Sequence, residues 1–518
     1  MQFPTRKQKI FIALIVYFLS VIISVNLLML KRDALQFHTR DYNYFVEQAA
    51  RLTDPKLTKS FALQIEGYNV FGLQGIEGVK NLYHAIHTEY FRYMYGLLYG
   101  IFRNPIPLFI FYSLIFYLPV LYLAVIPHLD DRAHTVQWLL FSLLYLIFPA
   151  TLSSVTADLR PRVLIAAVWC LAVLSVHFNR SFAEKLVFFL MLVGIREEGI
   201  FLGTVLIGLN YIRMDDRRGR NLQTVIFLVI DILALFAFLA FMRWGGYTRV
   251  DELFNPLSYL QLLLSKYLVF ILISATLLIF LLWYSWKKNR KQFQNILYLL
   301  CYSVAIGLAG FQWLRDTYGW FDIQSPALSL SGYDLLIVAV TDYSTALVFY
   351  FLILLIVILW EFTHGTSRKA LIAVYSILIL FSAAITLNHY PPRVIEWREN
   401  VLPARLVWDF TATHDHYDTK VLLDYDTYQA FYNFDQVIVY NRLPLWDALP
   451  ENRYYPQNKN SLVKQIHLGM DYAVISRESL EDILDLSGLA GISTREIAAN
   501  DRYVILKFTP ELQEQIKN

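Results

Sequence analysis

One carboxylate lies where it could act as a general base at a membrane surface. Asp41 follows the first long apolar segment, and the residues after it, which include Tyr44, Phe45 and Gln48, have the spacing of a helix lying on the membrane. A carboxylate held just above the hydrocarbon boundary can take a proton from a hydroxyl nucleophile. Asp is also a common helix N-cap, so the alternative is that Asp41 only starts this helix.

Two histidines further along the same segment have the spacing of metal ligands. His84 and His87 are three residues apart, so on a helix they share one face and could bind one metal ion. Glu89 points to another face of an ideal helix. The pair makes a divalent metal a candidate cofactor. The alternatives are histidines at the membrane interface, or histidines that hydrogen-bond a phosphate.

A first cluster of charges between two apolar runs indicates a phosphate site. Asp158, Arg160 and Arg162 lie within the sequence Asp158-Leu159-Arg160-Pro161-Arg162. A guanidinium group matches pairs of phosphate oxygens, so these arginines suit a phosphate or a pyrophosphate. Ionisable groups at membrane depth are costly unless they are paired, which favours a functional role. The alternative is an ion pair between Asp158 and an arginine that fixes helix packing.

A second cluster, Arg196-Glu197-Glu198-Gly199, interrupts an apolar segment that extends over 186–212. Arg196, Glu197 and Glu198 are further candidates for binding a phosphate-bearing substrate, or for internal ion pairing. The loops on both sides are basic and should both lie in the cytoplasm. We therefore expect half-helices 186–195 and 200–212 to form a hairpin with the charges at its apex, rather than one tilted span.

The composition indicates a membrane protein with many spans. The 518 residues are 57% hydrophobic and 17% charged, whereas a soluble domain is about 45–50% apolar and about a quarter charged. A net charge of +3 with no concentrated basic face gives no indication of a nucleic-acid partner. The two cysteines, Cys170 and Cys301, lie in apolar runs and provide no disulfide framework. Asp231, within another apolar run, is predicted to be a buried, hydrogen-bonded carboxyl.

The apolar runs and the basic loops predict a topology. Residues 10–30 form an apolar run of about 20 residues, enough for a retained first span. Further full spans begin near Pro105, Gln137, Val163, Leu222, Tyr267, Ile296, Tyr343 and Ala370. Lys and Arg collect around 6–9, 180–185, 213–220, 287–291 and 368–369, which we assign to the cytoplasm together with the N-terminus. Lys31 and Arg32 disagree with this assignment, but they open a long loop.

The predicted fold class is therefore an α-helical polytopic membrane protein of about 11 membrane helices, with the broken hairpin included. Its transmembrane domain is 1–389, with a long outer first loop at 31–104. Residues 390–518 lack another apolar run of spanning length and are predicted to form a small extracytoplasmic α/β domain. Its β-rich runs are Val421–Leu423, Val437–Tyr440, Tyr472–Ile475 and Tyr503–Phe508, and Ser479–Leu486 is helical.

This arrangement resembles the GT-C superfamily of polyprenyl-phosphate-sugar-dependent glycosyltransferases, and more closely the predicted membrane proteins of the domain-of-unknown-function family numbered 2079. Asp41 and Gln48 match the family's Asp…Gln motif after the first span. The Asp-Phe-His-Pro-Glu motif of the family corresponds to 158–162, where arginines replace its His and Glu and favour anion binding. The Lys-Glu-Asp motif corresponds to 196–198. The resemblance implies a GT-C-like fold.

The residues and the resemblance together predict an inverting glycosyltransferase. It would transfer a sugar from a polyprenyl-phosphate donor to an acceptor at the outer face of the cell membrane. Asp41 would act as the base, and the arginines would hold the donor's phosphate. The expected partners are the polyprenyl-phosphate sugar and membrane lipid. The alternatives are a transporter or flippase with its site at the broken hairpin, and a non-catalytic cell-envelope scaffold.

Overall fold

The computed structural model describes the chain in parts, and most of the described residues are helical. It covers 5–37, 91–126, 132–156, 161–195, 197–214, 217–244, 293–306, 343–362, 366–424, 426–434, 436–440 and 469–510, with a few single positions between them. The helices are α1 Arg6–Asp33, α2 Phe91–Phe102, α3 Ile106–Val125, α4 Arg132–Ile147, α5 Pro149–Val155, α6 Pro161–His177, α7 Phe182–Ile195, α8 Glu197–Arg213, α9 Arg217–Trp244, α10 Phe293–Ile306, α11 Tyr343–Phe362 and α12 Thr366–Thr413.

Several of these helices could span a membrane. Within the described residues, four are long and apolar enough: α1, α3, the Arg218–Ala237 part of α9 and the Arg368–Thr413 part of α12. Helices α4 and α5 meet at an angle of 60° and would form a fifth span together. The other apolar stretches with described side chains, among them the Tyr350–Phe362 part of α11, are shorter. The membrane character expected from composition is thus present as four to five apolar helices of spanning length.

Hydrogen bonds between neighbouring helices set which helix ends lie together. Near the start of α3, the Tyr112 hydroxyl donates to Ser154 O at 2.8 Å, in the helix that follows α4. Near the end of α3, Trp138 Nε1 in the first half of α4 donates to Val120 O at 3.0 Å. Helices α3 and α4 are therefore antiparallel, and α4 begins at the end of the bundle that lies far from α5.

Two further hydrogen bonds extend this arrangement to α1, α6 and α8. Lys31 Nζ, in the last turn of α1, donates to Thr156 O at 2.8 Å. Helix α6 begins five residues after Thr156, at that same end of the bundle. Arg213 Nε, at the end of α8, donates to His177 O at the end of α6 over 2.8 Å. Helices α6 and α8 therefore end together at the opposite end.

One end of the bundle gathers the basic segments. His134 Nε2 lies 2.9 Å from Glu361 Oε1, so α11 ends and α12 begins beside the start of α4. The start of α1 and the turns after α6 and α8 lie at this same end. Its basic residues include Arg6, Lys7, Lys9, Arg180, Lys185, Arg213, Arg217, Arg218, Arg220, Arg368 and Lys369. We call it the basic end, and the end where α1 stops and α6 starts the junction end.

The segment predicted to form a hairpin doubles back on itself. Helix α7 ends at Ile195 and α8 begins at Glu197. A Cβ atom built on Gly203 would lie 2.9 Å from Val193 Cγ1 and 3.4 Å from Phe189 Cε2. Positions 189 and 203 would be about 21 Å apart in one straight helix, at 1.5 Å per residue. The helix–break–helix prediction for 186–212 is confirmed.

Helix α12 carries the chain from the bundle into a small tail domain. The apolar run ends near residue 389, but the helix continues to Thr413. Its 48 residues correspond to about 72 Å. Tyr375 is buried in the core of the bundle, whereas Val407 and Phe410 are buried in the core of the tail domain. The two parts of the protein therefore share one helix rather than a loop.

The tail domain is a five-stranded mixed sheet with a helix between its third and fourth strands. The strands are β1 Lys420–Asp424, β2 Gln436–Tyr440, β3 Tyr472–Ser476, β4 Ile492–Ala499 and β5 Tyr503–Pro510, and the helix is α13 Leu480–Leu489. The strand order is β2-β1-β3-β5-β4. β1 is parallel to β2 and β3, and β5 is antiparallel to β3 and β4. The α/β prediction for this region is confirmed, with β4 as an additional strand.

The sheet is covered on both faces because side chains alternate along its central strand. Val421 and Leu423 of β1 belong to the buried cluster that contains Phe410 of α12. Leu422, between them, belongs to the cluster that contains Ile483 of α13. The end of α12 therefore serves as one of the two helical layers of the tail domain.

The fold of the hairpin makes a prediction about two of its glycines. A Cβ at Gly199 would lie 1.9 Å from the backbone O of Leu192, whereas a Cβ at Gly194 has no atom within 4 Å. We expect Gly199→Ala to destabilise the protein by about 1–3 kcal/mol or more, since a backbone atom cannot be displaced cheaply. Gly194→Ala is the matched control and should be neutral or slightly stabilising, because alanine favours the helix.

The measurement is the unfolding temperature of the full-length variants in detergent. Equal unfolding temperatures for Gly199→Ala and Gly194→Ala would contradict the close packing of α8 on α7.

Candidate functional site

Three of the residues predicted to form the site belong to described helices. Arg162 lies in the first turn of α6, Glu197 begins α8, and Glu198 follows as a half-buried residue. The other predicted site residues lie outside the described residues: Asp41, His84, His87, Asp158, Arg160 and Arg196. Within the described ranges, no group of three His, Cys, Asp or Glu side chains is arranged to hold a metal ion.

The described neighbours of two predicted motifs lie together at the junction end. Lys31 Nζ donates to Thr156 O at 2.8 Å, and Thr156 precedes Asp158 by two residues. Leu159, inside the second motif, accepts a hydrogen bond on its backbone O from the Tyr95 hydroxyl at 3.1 Å. Asp41 follows α1 by eight residues. The segments that contain the first and second motifs therefore start from one place in the fold.

The apex of the hairpin lies toward the same end. Helix α6 starts at the junction end, and residues 178–181 return the chain into α7, so the two helices are antiparallel neighbours. Helix α6 has 17 residues and α7 has 14, which correspond to about 26 Å and 21 Å. The break after Ile195 therefore lies within about one helical turn of the level at which α6 begins.

The end of α1 is fixed by a Schellman motif. Gln36 N donates to Lys31 O and Leu35 N donates to Arg32 O, both at 2.9 Å. Leu35 takes the left-handed conformation with φ of 54°, which costs a non-glycine residue about 1–2 kcal/mol. The Leu35 side chain is buried in the core of the tail domain, beside Val407. Burial of a leucine contributes about 1.5–3 kcal/mol, which offsets the strain.

Three hydrogen bonds join the bundle to the tail domain around this point. They are Phe37 N to Gln429 Oε1 at 2.9 Å, Trp408 Nε1 to Asp33 O at 3.3 Å, and the Tyr417 hydroxyl to Asp54 Oδ2 at 2.8 Å. The rings of Tyr99 and Tyr432 also meet edge to face, with centroids 6.2 Å apart. The described residues that follow α1, up to Phe37, are thus held between bundle and tail.

Two cations at the end of α1 are surrounded by aromatic rings. Lys31 Nζ is 4.8 Å from the ring centroid of Phe37 and 5.8 Å from that of Trp397. Arg32 Cζ is 4.8 Å from the ring centroid of Trp408. Both distances for Lys31 and the one for Arg32 are in the range of cation–π attraction. Trp397 and Trp408 come from α12, so the helix that carries the tail domain also encloses these cations.

The carboxyl edge of the sheet is turned toward the junction end. Asn500 Nδ2 donates to Pro403 O at 2.8 Å, and Arg502 hydrogen-bonds Asn400. These α12 residues lie nearer the bundle than Phe410 does. The turn at 500–502 precedes β5, whose start pairs with the end of β3 at Ser476. The ends of β1 and β3 therefore lie on the side of the sheet that faces the bundle.

A buried carboxylate ties these two strand ends together. Asp424 ends β1 and is 2% exposed. Its Oδ2 accepts from Ser476 N at 2.6 Å, and its Oδ1 accepts from Thr427 N at 3.1 Å. β2 and β3 flank β1 on opposite sides, so Asp424 lies at a switch point, where ligands of open α/β sheets bind.

Asp426 adds a titratable group beside this buried carboxylate. The nearby chain, which partly desolvates this exposed carboxyl, and the charge of Asp424 raise the pKa of Asp426 to about 6, and Glu478 acts in the same direction while Arg502 opposes it. A raised pKa means that the folded protein holds the proton more tightly than the unfolded chain. The charged form of Asp426 therefore weakens the folded tail domain at neutral pH.

A further buried carboxylate, from α9, contacts the hairpin rather than the junction. Asp231 of α9 is buried, and the Thr204 hydroxyl of α8 donates to its Oδ2 at 2.7 Å. A Cβ on Gly203 would lie 2.6 Å from Asp231 Oδ1, so a glycine is needed where the carboxyl meets α8. The prediction of a buried, hydrogen-bonded carboxyl at this position is confirmed.

Sequence reasoning did not include Lys31, Arg32 or the aromatic residues of α12 in the site. One signal was present, because Lys31 and Arg32 were the exceptions to the charge rule. The contribution of Trp397 and Trp408 depends on the continuation of α12 past residue 389. The comparisons with known proteins add no further residues, since no protein family, curated protein or solved structure matches this chain.

The two carboxylates at the sheet edge give a paired prediction. Asp424→Asn replaces an acceptor with a donor that faces Ser476 N or Thr427 N, and we expect it to destabilise the tail domain by about 1–3 kcal/mol. Asp426→Asn should instead stabilise the tail at pH 7, by less than about 1 kcal/mol because solvent screens the group.

The pH dependence distinguishes the two variants. The unfavourable effect of Asp426 is absent below its unfolded pKa of about 4 and develops as the pH rises to about 6. Wild type and Asp426→Asn should therefore differ at pH 7 and agree at pH 4. Hydrogen exchange of β1 in the full-length protein measures this, with each variant compared to wild type at the same pH. Equal protection in wild type and Asp424→Asn would contradict the role of Asp424.

Proposed function

We propose that this protein is an integral membrane glycosyltransferase with a GT-C-like fold of about 11 membrane helices. It transfers a sugar from a polyprenyl-phosphate donor to an acceptor at the outer face of the cell membrane. The supporting observation is that the end of α1 meets the turn before α6, while the α7–α8 break lies close to the level at which α6 begins. The three predicted motifs follow or border these described segments in the sequence.

The proposed reaction is an inverting displacement at the anomeric carbon. The acceptor oxygen forms a bond to that carbon while the bond to the phosphate oxygen breaks, and polyprenyl phosphate leaves with the electron pair. Asp41 takes the proton of the acceptor hydroxyl. Arg160, Arg162 and Arg196 hold the donor phosphate and stabilise the charge that develops on it. Glu197, Glu198 and Asp158 orient these arginines or the sugar.

The orientation in the membrane follows from the two ends of the bundle. The basic end carries most of the Lys and Arg of the described short loops, which favours a cytoplasmic location for it. The junction end and the tail domain then lie outside. The proposal is therefore a multi-pass cell-membrane protein with a cytoplasmic N-terminus and an extracytoplasmic tail.

Cysteine labelling tests this orientation. Leu489 of α13 and Lys369 at the start of α12 are exposed, whereas the native Cys170 is buried and Cys301 is half-buried. In intact cells, we expect a membrane-impermeant maleimide to label Leu489→Cys and to label Lys369→Cys only after lysis. The unsubstituted chain gives the background. Labelling of Lys369→Cys in intact cells, with Leu489→Cys protected, would reverse the orientation and remove the outer-face reaction.

The role of Asp41 makes a kinetic prediction. Asp41→Asn keeps the size of the side chain and its capacity to cap a helix but removes the base. We expect it to lower the rate of transfer by about 10²–10⁴ with little change in stability. The measurement is the release of polyprenyl phosphate from a radiolabelled polyprenyl-phosphate hexose or pentose. Asp485→Asn, an exposed carboxylate on α13, is the matched control and should keep the wild-type rate. A wild-type rate in Asp41→Asn would leave only the capping role.

A transporter or flippase is the second candidate, and one observation favours it. A buried carboxylate of α9, Asp231, lies against Thr204 and Gly203 of the hairpin, as expected of an ion or proton site beside a broken helix. The same assay separates the two functions. A transferase should keep its rate of transfer in a folded Asp231→Asn protein, whereas a transporter should lose substrate movement in Asp231→Asn and retain it in Asp41→Asn.

A further inference from the structure

The geometry points to a binding site for the phosphate of a membrane lipid at Lys31 and Arg32, enclosed by Trp397 and Trp408. The inference deepens the proposed function and rests on it for the identity of the lipid, a polyprenyl phosphate. The phosphate chemistry itself is argued from the end of α1. These two residues belong to none of the three sequence motifs that led to the proposed function.

Arg32 is charged but largely buried where α1 ends. Its side chain is only 19% exposed, and its Nη1 lies 3.9 Å from Asp33 Oδ1, beyond hydrogen-bond length. Its Nε is buried and has no hydrogen-bond partner among the described residues. A buried guanidinium N–H without an acceptor is unfavourable. An anion that accepts from Nε would remove that penalty.

The Lys31 and Arg32 side chains are not needed to cap α1. The carbonyl groups of Lys31 and Arg32 already accept from Gln36 N and Leu35 N in the Schellman motif. Lysine and arginine near a helix end often neutralise such carbonyl groups. Here the backbone has taken that role. The Lys31 and Arg32 side chains instead extend across the junction toward Thr156 and Trp408.

The hydrogen-bond donors at this place indicate what kind of ligand would bind. Lysine Nζ and a guanidinium group together provide several donors, and this combination suits the oxygens of a phosphate. The Arg32 charge also lies close enough to the Tyr432 hydroxyl to oppose the rise in the pKa of that phenol caused by burial. Tyr432 therefore borders the same space. A tyrosine hydroxyl can donate to a phosphate oxygen.

The surrounding residues of α12 indicate that the phosphate belongs to a lipid. Ile395 and Leu402 are 57% and 71% exposed on α12, at the level of Trp397. Exposed charged residues of both signs, Arg393, Glu396, Arg398 and Glu399, lie near them on this helix. Tryptophan beside apolar and charged side chains is typical of the interface between membrane and water. The site therefore lies at the depth of lipid phosphates.

The test is lipid binding by the full-length protein in nanodiscs. The probes are a polyprenyl monophosphate, phosphatidylglycerol and inorganic phosphate, and the variants are Arg32→Gln, Arg32→Lys and Lys31→Gln. We expect Arg32→Gln to weaken polyprenyl-phosphate binding at least tenfold, about 1.4 kcal/mol, and Arg32→Lys to weaken it less. Arg398→Gln, on the exposed face of α12, is the matched control and should change binding less than twofold.

Each outcome decides the inference. Unchanged polyprenyl-phosphate binding in folded Arg32→Gln and Lys31→Gln proteins overturns it. If Arg32→Gln does not fold, Arg32→Lys and Lys31→Gln are used, since both leave a long side chain in place. Losses that affect polyprenyl phosphate and phosphatidylglycerol equally support the phosphate site but assign it to bulk lipid. Binding of inorganic phosphate as tight as that of the lipids would contradict a lipid site.

The failure of this inference can be told apart from failure of the proposed function. A phosphate site that requires Arg32, in a protein whose transfer rate is unaffected by Asp41→Asn, would leave the lipid site standing without the transferase. A transfer rate that requires Asp41, with binding independent of Lys31 and Arg32, would leave the donor phosphate on Arg160, Arg162 and Arg196 alone.

Discussion

Helix α12 passes from the core of the bundle into the core of the tail domain, and the tail can lie only where that helix leads. Consecutive prolines at 391 and 392 remove two backbone donors from its middle, so the helix depends there on neighbouring contacts. Thr386 Oγ1 donates to Ile147 O at 2.7 Å, and the Tyr390 hydroxyl donates to Pro149 O at 2.6 Å, directly before the prolines. The bundle therefore holds α12 firmly at the point where its own backbone is weakest. The contacts that α12 itself makes at the junction, through Trp397 and Trp408, depend on this support.

The two ends of the bundle use positive charge differently. At the basic end the cations are numerous and lie mainly in turns and at helix starts, where water or lipid headgroups can solvate them. At the junction end two cations are enclosed by the ring of Phe37 and by two tryptophan rings of α12. Positive charge in an aromatic enclosure is desolvated, so its attraction for an anion is stronger than that of an exposed lysine. The first pattern suits orientation in a membrane, and the second suits recognition of one anionic group.

Local patterns in the sequence predicted much of this fold. The apolar runs predicted the four to five helices of spanning length among the described residues. Arg196-Glu197-Glu198-Gly199 marked the hairpin because charges are costly on a lipid-facing helix, and α8 begins within this motif, at Glu197. The β-rich runs predicted four of the five strands, whereas β4 was missed because its sequence, Ile492–Ala499, is polar and largely exposed at the sheet edge. The junction could not be predicted, because it joins positions such as Phe37 and Gln429, which are 392 residues apart in the chain. Such pairings leave no local periodicity. Asp41, His84, His87, Asp158, Arg160 and Arg196 stay predictions.

Leu35 has a consequence for the order in which the protein is assembled. It lies at the end of α1, far before the tail domain in the chain, yet its side chain belongs to a core formed with α12, β1 and β5. At 5–20 residues per second, the 392 residues between Phe37 and Gln429 take roughly 20–80 s to synthesise. During that interval Leu35, Lys31 and Arg32 lie at the end of α1 without the tail domain that later covers them. Until β5 is synthesised, the nascent chain therefore exposes an apolar side chain beside two positive charges. A chaperone or the membrane-insertion machinery would be expected to protect this surface from incorrect contacts.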